Sequence, residues 1–266
     1  MERLQKENIH VVDQGILEGE ALQPFALEEI LMRLAGETNE PIIHIWRHRR
    51  AFIAGLRDRR LPYAEQALRE LRDAGYATAV RNSGGAAVPL HAGVINVSLI
   101  MPKPAGTLDI YDDFSGMASF LSAVLAPAGI GFDTGEVTGS YCPGEYDLSI
   151  KGRKFCGIAQ RRRLDAYSVQ AFVIAEGDGV SMAETARSFY QRACGGRTDL
   201  GAPMVDPAKM ASLEQLTDGR MSAELFLRCL RDLIQTWDVT DASDLPKRYE
   251  AETNRQIKLM RERYDR

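Results

Sequence analysis

Apolar residues recur at helical spacing from Pro24 to Thr38, with Phe25, Ile30, Leu31 and Leu34 on one broad face, and the spacing predicts a helix there. Ile42 to Trp46 and Phe52 to Leu56 read as short strands, and Pro62 opens a second helix whose Ala64, Ala67, Leu68 and Leu71 repeat helically until Gly75. Strands follow at Thr78 to Val80 and at Val94 to Ile100, where Asn96 and Ser98 alternate against Val97 and Leu99. Tyr111, Phe114, Met117, Ala118, Leu121 and Leu125 trace another helical stripe, which Gly129 and Gly131 interrupt. Tyr167 to Ala175 reads as a strand and Met182 to Ala193 as a helix. Phe226, Leu230, Leu233 and Ile234 define a further helix, and a polar helix from Leu245 to Tyr264 closes the chain.

Between the third helix and the strand at Tyr167 lies the stretch GSYCPGEYDLSIKGRKFCGIAQRR, from Gly139 to Arg162. Tyr146, Leu148 and Ile150 alternate with Asp147 and Ser149, as in a half-buried strand, and Lys151-Gly152 supplies a turn residue able to take positive φ. On the returning strand the alternation puts Lys154, Cys156, Ile158 and Gln160 on one face and Phe155, Gly157 and Ala159 on the other. Cys142 sits just before this hairpin, in a loop punctuated by Pro143 and Gly144. A thiol in an exposed loop with an ammonium on the adjoining hairpin has the parts of an activated sulfur nucleophile, because a nearby cation favours the reactive thiolate. A lone cysteine is more often an inert buried hydrophobe. That description suits Cys156, which lies within a strand, better than Cys142.

Composition narrows the field. The chain has 266 residues, 45% hydrophobic and 26% charged, enough for one substantial domain, taken as residues 1–266. A net charge of −4 gives no overall electrostatic footprint for nucleic acid. No apolar run approaches a membrane span, and Met1 to Asp13 is too polar for a signal peptide. Four cysteines without a CxxC pair suit reduced thiols, and hence a cytoplasmic protein. His44 and His48 stand four apart, but in a strand that spacing separates them, so no metal site is expected. Arg47, Arg49 and Arg50 concentrate positive charge that can steer an acidic partner. The Gly84-Gly85 pair has no following GKS or GKT and is not a phosphate loop. Glycines there let a ligand lie on the backbone, with Arg81 and Asn82 at hand for polar contacts.

Two motifs together carry a resemblance. RNSGGAAVPLHAGVINVSLI and KGRKFCGIAQRR resemble the biotinyl/lipoyl protein ligase and octanoyltransferase superfamily, over roughly Pro41 to Arg231. Cys142 within SYCPGEYDLSI is most similar to the branch that takes octanoyl groups from the glycine cleavage H protein. The resemblance implies an α+β fold, a mixed and largely antiparallel sheet flanked by helices. It also implies a protein N-octanoyltransferase of lipoate metabolism in which Cys142 carries an acyl thioester and Lys154 favours its thiolate. Arg81, Ser83, Gly84, Gly85, Ala86, Asn96, Gly157, Ile158 and Ala159, with the strand continuing to Gln160, would line the acyl site. The implied donor is the octanoylated glycine cleavage H protein, the implied acceptors are lipoyl domains of oxo-acid dehydrogenase acyltransferase subunits, and no cofactor is required.

One departure stands out: many members of the superfamily carry His-Asp where this chain has His91-Ala92. Three alternatives stay open, the first of which would share the Cys/Lys pair. They are an octanoyl-carrier-protein transferase, an ATP-dependent lipoate or biotin ligase, and a carrier-domain binding module without catalysis.

Overall fold

The computed structural model describes residues 8–103 and 110–264, with the side chains of Ile110 and Tyr111 left out. The expected place of Tyr111 on its helix stripe, and the start of the polar Met1 to Asp13 segment, therefore lie outside the described residues. In chain order the elements are β1 (Ile9–Leu17), α1 (Gln23–Thr38), β2 (Ile42–His48), β3 (Arg50–Ala54), α2 (Ala64–Asp73), β4 (Ala77–Val80), β5 (Val88–His91) and β6 (Val94–Pro102). They continue with α3 (Ile110–Leu125), β7 (Asp133–Thr134), β8 (Leu148–Ile150), β9 (Arg153–Arg162), β10 (Ala166–Ile174) and α4 (Gly179–Ala193). The chain ends with α5 (Leu213–Leu216), α6 (Ala223–Ile234), β11 (Val239–Asp241), α7 (Leu245–Arg248) and α8 (Glu250–Tyr264).

Eight strands form one mixed sheet in the order β11-β1-β2-β6-β10-β9-β8-β7, and β4-β3-β5 form a smaller one. Among the described strands the β1/β11, β1/β2 and β3/β4 pairings are parallel, and the central ladders are antiparallel. The large sheet buries both faces, and the two-residue period of its strands divides them. Ile95, Val97 and Leu99 of β6 pack with Met117, Phe120, Phe226 and Leu230 under α3 and α6. The alternate residues Val94 of β6 and Phe172 and Ile174 of β10 pack instead with Trp46, Tyr141 and Met210 toward the small sheet. The catalytic candidates gather on this second face.

A buried polar cluster holds α1 against the middle of that face. Glu28, 3% exposed, accepts from the Ser98 and Ser168 hydroxyls and from Gln170, and its Oε1 lies 3.1 Å from His44 Nδ1. His44 Nε2 lies 2.8 Å from Gln14. His48 Nδ1 accepts from the Arg50 amide. Each histidine is thus engaged within the protein, on different partners.

Several boundaries move for identifiable reasons. The second helix begins at Ala64, two residues past Pro62, and the closing helix is broken at Tyr249 into α7 and α8. Beyond the strands expected from the sequence, β1 forms at Ile9–Leu17, where only Ile9 and Val12 are fully buried and the apolar signal is thin. The hairpin turn is as expected and tighter: Lys151 as well as Gly152 has positive φ, 51° and 70°.

The facial assignment of β9 is corrected. Ile150 pairs with Arg153 and Ser149 with Lys154, but Leu148 pairs with Cys156, so Phe155 is an extra residue on β9. This β-bulge shifts the alternation by one. Lys154 therefore points to the Gly157 side, where its Nζ lies 3.3 Å from the position a Cβ on Gly157 would take, while Cys156 turns into the core under α3.

Candidate active site

Cys142 stands at the head of a narrow crevice. Its backbone takes φ 52°, an uncommon conformation for a residue with a Cβ, in the loop that follows Gly139. The Sγ accepts a hydrogen bond from the Ala86 amide at 3.1 Å and lies 3.5 Å from Arg81 Nη2. Both donors come from the RNSGGAA loop between β4 and β5. An N–H group and a guanidinium are thus both directed at the sulfur. Gly85, at φ 94°, passes so close that a Cβ there would sit 2.5 Å from Arg81 Nη2 and 2.8 Å from Sγ. Glycine is therefore required at this point.

The donor loop is itself held from behind. Arg81 donates from Nε to the Gly84 carbonyl and from Nη2 to the Ala86 carbonyl, and its guanidinium lies 5.0 Å over the Phe172 ring. The Ala87 amide donates to the Tyr190 hydroxyl at 2.8 Å, and that hydroxyl donates to Asp58 at 3.1 Å. Asp58 also accepts from the Gly55 amide at 2.7 Å. Burial pushes the Asp58 carboxyl above the usual range, against these hydrogen bonds and the charge of Arg81.

Lys154 is 2% exposed and holds the other side of the Cys142 loop. Its Nζ donates to the carbonyls of Cys142 at 2.6 Å and Tyr141 at 3.3 Å and pairs with Asp147 at 2.7 Å. The ammonium thus meets the backbone of the cysteine rather than its sulfur. Asp147 also accepts from the amides of Gly144 and Val137, at 3.2 and 3.4 Å. Burial pushes the Asp147 carboxyl up, and Lys154 opposes that shift. Cys156 is 1% exposed, and burial drives its thiol well above the ordinary range, keeping it protonated.

Below Sγ the crevice is lined by Val88, Val94, Phe172, Ile174 and Met210 together with Gly157, Ile158 and Ala159 of β9. Its interior volume is about 20 Å³, room for one or two waters. A wider cavity of about 510 Å³ is bordered by Ser83, Gly84, Gly85, Ala86, Arg57 and Pro143.

Of the residues expected at the site, Arg81, Gly85, Ala86, Cys142, Lys154, Gly157, Ile158 and Ala159 meet around the crevice. Ser83 and Gly84 border the wider cavity. Asn96, in register beside Phe172, does not itself line the crevice; it donates to the Trp46 carbonyl with its Oδ1 unpartnered, and Gln160 turns away to Asp113. His91 packs between Gly93 and Gly177, accepts from the Gly93 amide, and is held below the ordinary histidine range by burial. Asp147, Tyr190 and Asp58 were not anticipated. Arg47 pairs with Glu224 and Arg49 with Glu18, and Arg50 stacks on Tyr76; Arg49 and Arg50 remain exposed at the surface.

Residues 20–235 match the model of the lipoyl protein ligase A/B catalytic domain. The chain belongs to this family. The match takes in α1, outside the Pro41 to Arg231 stretch on which the sequence resemblance rests. Among similar lipoyl-ligase-family proteins, one from Anoxybacillus flavithermus is 38% identical over 89% of this chain and 86% of its own length. One from Geobacillus kaustophilus is 38% identical over 89% and 85%. Both are named octanoyl-[GcvH]:protein N-octanoyltransferase. Among solved structures, a lipoate-protein ligase A bound with ATP has the same fold, with a TM-score of 0.66 at 19% identity, covering 98% of this chain and 94% of that one. No helix among the described residues is long and apolar enough to cross a membrane.

Proposed function

We propose that the chain moves an octanoyl group from a lysine of the glycine cleavage H protein to lysines of lipoyl domains, with Cys142 carrying the acyl group between them. The observation that carries this reading is the sulfur itself, half-exposed at the mouth of an apolar crevice and met by the Ala86 amide and Arg81. The names of relatives 38% identical over most of their length support the same donor.

The parts give a two-step exchange. The Cys142 thiolate attacks the octanoyl amide carbonyl, and the leaving lysine amine takes a proton as the C–N bond breaks. Lys154 has all three ammonium hydrogens engaged, so it reaches the amine by releasing one acceptor, for which the Tyr141 carbonyl at 3.3 Å is the most weakly held. The acceptor lysine reverses the sequence. One amide replaces another, so no ATP is needed to drive the exchange. The crevice must open to receive the chain, and burying six methylenes supplies about 5 kcal/mol toward that opening, at about 0.8 kcal/mol each.

Intact mass after incubation with an octanoylated carrier tests the reading. Wild type should gain one octanoyl group, Cys142→Ala none, and Cys156→Ala the wild-type amount. An adduct that survives loss of Cys142 sinks the proposal, and pyrophosphate release from ATP with free octanoate would replace it with a ligase.

A further inference from the structure

Arg81 is unusual among the charged groups around the crevice. It is 1% exposed, yet it makes no ion pair with a carboxylate among the described residues. A buried cation without a counter-charge costs several kcal/mol, and proteins retain one where a negative charge is to be met. Asp58 is the acid whose charge Arg81 influences, but its oxygens are held by the Gly55 amide and the Tyr190 hydroxyl. The other buried cation, Lys154, is neutralised directly by Asp147. The uncompensated positive charge at the sulfur is therefore that of Arg81.

The geometry of the guanidinium adds a second observation. Nε and Nη2 are fixed by the carbonyls of Gly84 and Ala86, which locks the planar fork in place over Phe172. Nη1 is buried and has no hydrogen-bond partner. Such a donor remains costly unless something accepts from it. When an acyl group is bonded to Sγ, its oxygen lies only two bonds from the sulfur, so it falls among donors that stand 3.1 and 3.5 Å from Sγ.

We propose that Arg81 is a catalytic residue, its guanidinium meeting negative charge first on the Cys142 sulfur and then on the carbonyl oxygen of the tetrahedral intermediate. The role rests on Cys142 being the nucleophile. As the sulfur lone pair forms the C–S bond, the carbonyl π pair moves onto oxygen, where Nη1 and the Ala86 amide donate to it. That pair returns to re-form C=O as the C–N bond breaks, and the amine leaves with a proton from Lys154. A fixed donor aimed where charge develops needs no reorganisation during the step.

Two reactions of the same sulfur separate this role from simple activation of the thiol. Alkylation by iodoacetamide uses the thiolate and forms no oxyanion; acylation by a small octanoyl thioester uses the thiolate and forms one. In Arg81→Gln, acylation should fall by roughly 10²–10³-fold, the usual loss for one oxyanion donor, with alkylation at neutral pH falling far less. Arg81→Lys, which keeps the charge and is the milder change for the fold, should alkylate nearly as wild type while acylating at least tenfold more slowly, because an ammonium cannot span the two loop carbonyls and a third acceptor as a fork does. Equal losses in both reactions for both variants would overturn the oxyanion role. So would a wild-type acylation rate in Arg81→Lys. Failure of the wild-type protein to acylate at Cys142 would instead sink the nucleophile assignment.

Discussion

Replacing Gly85 by alanine tests whether the donor loop must lie against the sulfur. At φ 94° an L-residue is strained, at a cost of roughly 1–3 kcal/mol. The added methyl would also stand 2.5 Å from Arg81 Nη2 and 2.8 Å from Cys142 Sγ, too close for either to remain in place. Relief requires the loop and the sulfur to separate by the better part of an ångström, which breaks the 3.1 Å bond from the Ala86 amide. Since a shift of 1 kcal/mol moves the melting point of a domain of 150–250 residues by about 2–4 °C, the melt should fall by roughly 2–12 °C. Losing an aligned donor at the reacting centre should cost acylation about 10²-fold or more. Gly84 is the matched control, because a Cβ there meets nothing within 4 Å and its φ is not positive. Gly84→Ala should melt and acylate close to wild type. Rates of octanoyl adduct formation, followed by intact mass beside thermal melts, decide the matter. A Gly85→Ala protein that acylates at the wild-type rate would falsify the close approach of loop and sulfur.

Other parts of the site make separable predictions. Lys154→Met and Asp147→Asn each leave a buried partner unpaired and should each destabilise by about 3 kcal/mol in denaturant melts. The double variant Lys154→Met/Asp147→Leu should recover much of that stability yet form no product; recovered transfer would remove Lys154 from the chemistry. Gly157→Ala places a methyl 3.3 Å from Lys154 Nζ, the flexible end of that side chain, and should slow transfer with little loss of stability; unchanged transfer would mean that Lys154 does not need that space. Burial holds His48 and His91 below the ordinary histidine range. An unfolded histidine takes its proton near pH 6.5, so below that pH the unfolded chain binds more protons and stability falls until the lowered folded values are reached. The double variant His48→Gln/His91→Gln should show a flatter melting-temperature profile between pH 7 and 5 than wild type, and an unchanged slope would mean that neither residue carries the acid sensitivity.

The periodic elements were the readable part of this fold. The helices at Gln23–Thr38 and Ala223–Ile234 bury the positions that their 3.6-residue spacing marks, among them Phe25, Ile30 and Leu31, then Phe226 and Leu230. β6 and β10 were legible because they are central strands with β-branched and aromatic residues throughout. The edge and bridging pieces were not. β11 has three residues, none of them fully buried, and exists because β1 offers it a parallel edge, which no local signal records.

The site divides along the same line. Cys142 and the RNSGGAA loop could be named from residue type, because a thiol beside Pro-Gly and a paired glycine are local signals of an exposed turn and of close backbone approach. Which face Lys154 occupies could not, because the alternation read along β9 alone assumes an unbroken register, and the extra residue at Phe155 is visible only against Ser149 and Leu148 of the partner strand. That single residue reverses the chemistry of two neighbours. Without it Lys154 and Cys156 would share a face and the ammonium would have a thiol in the core to activate. With it Cys156 is shut into apolar packing, while Lys154 swings to the Tyr141-Cys142 carbonyls, where Asp147, only a polar strand residue in the sequence, becomes its counter-ion. The lysine's ammonium is thereby held by the loop backbone and Asp147, and the guanidinium beside the sulfur is that of Arg81, sixty-one residues away in sequence and 3.5 Å away in space.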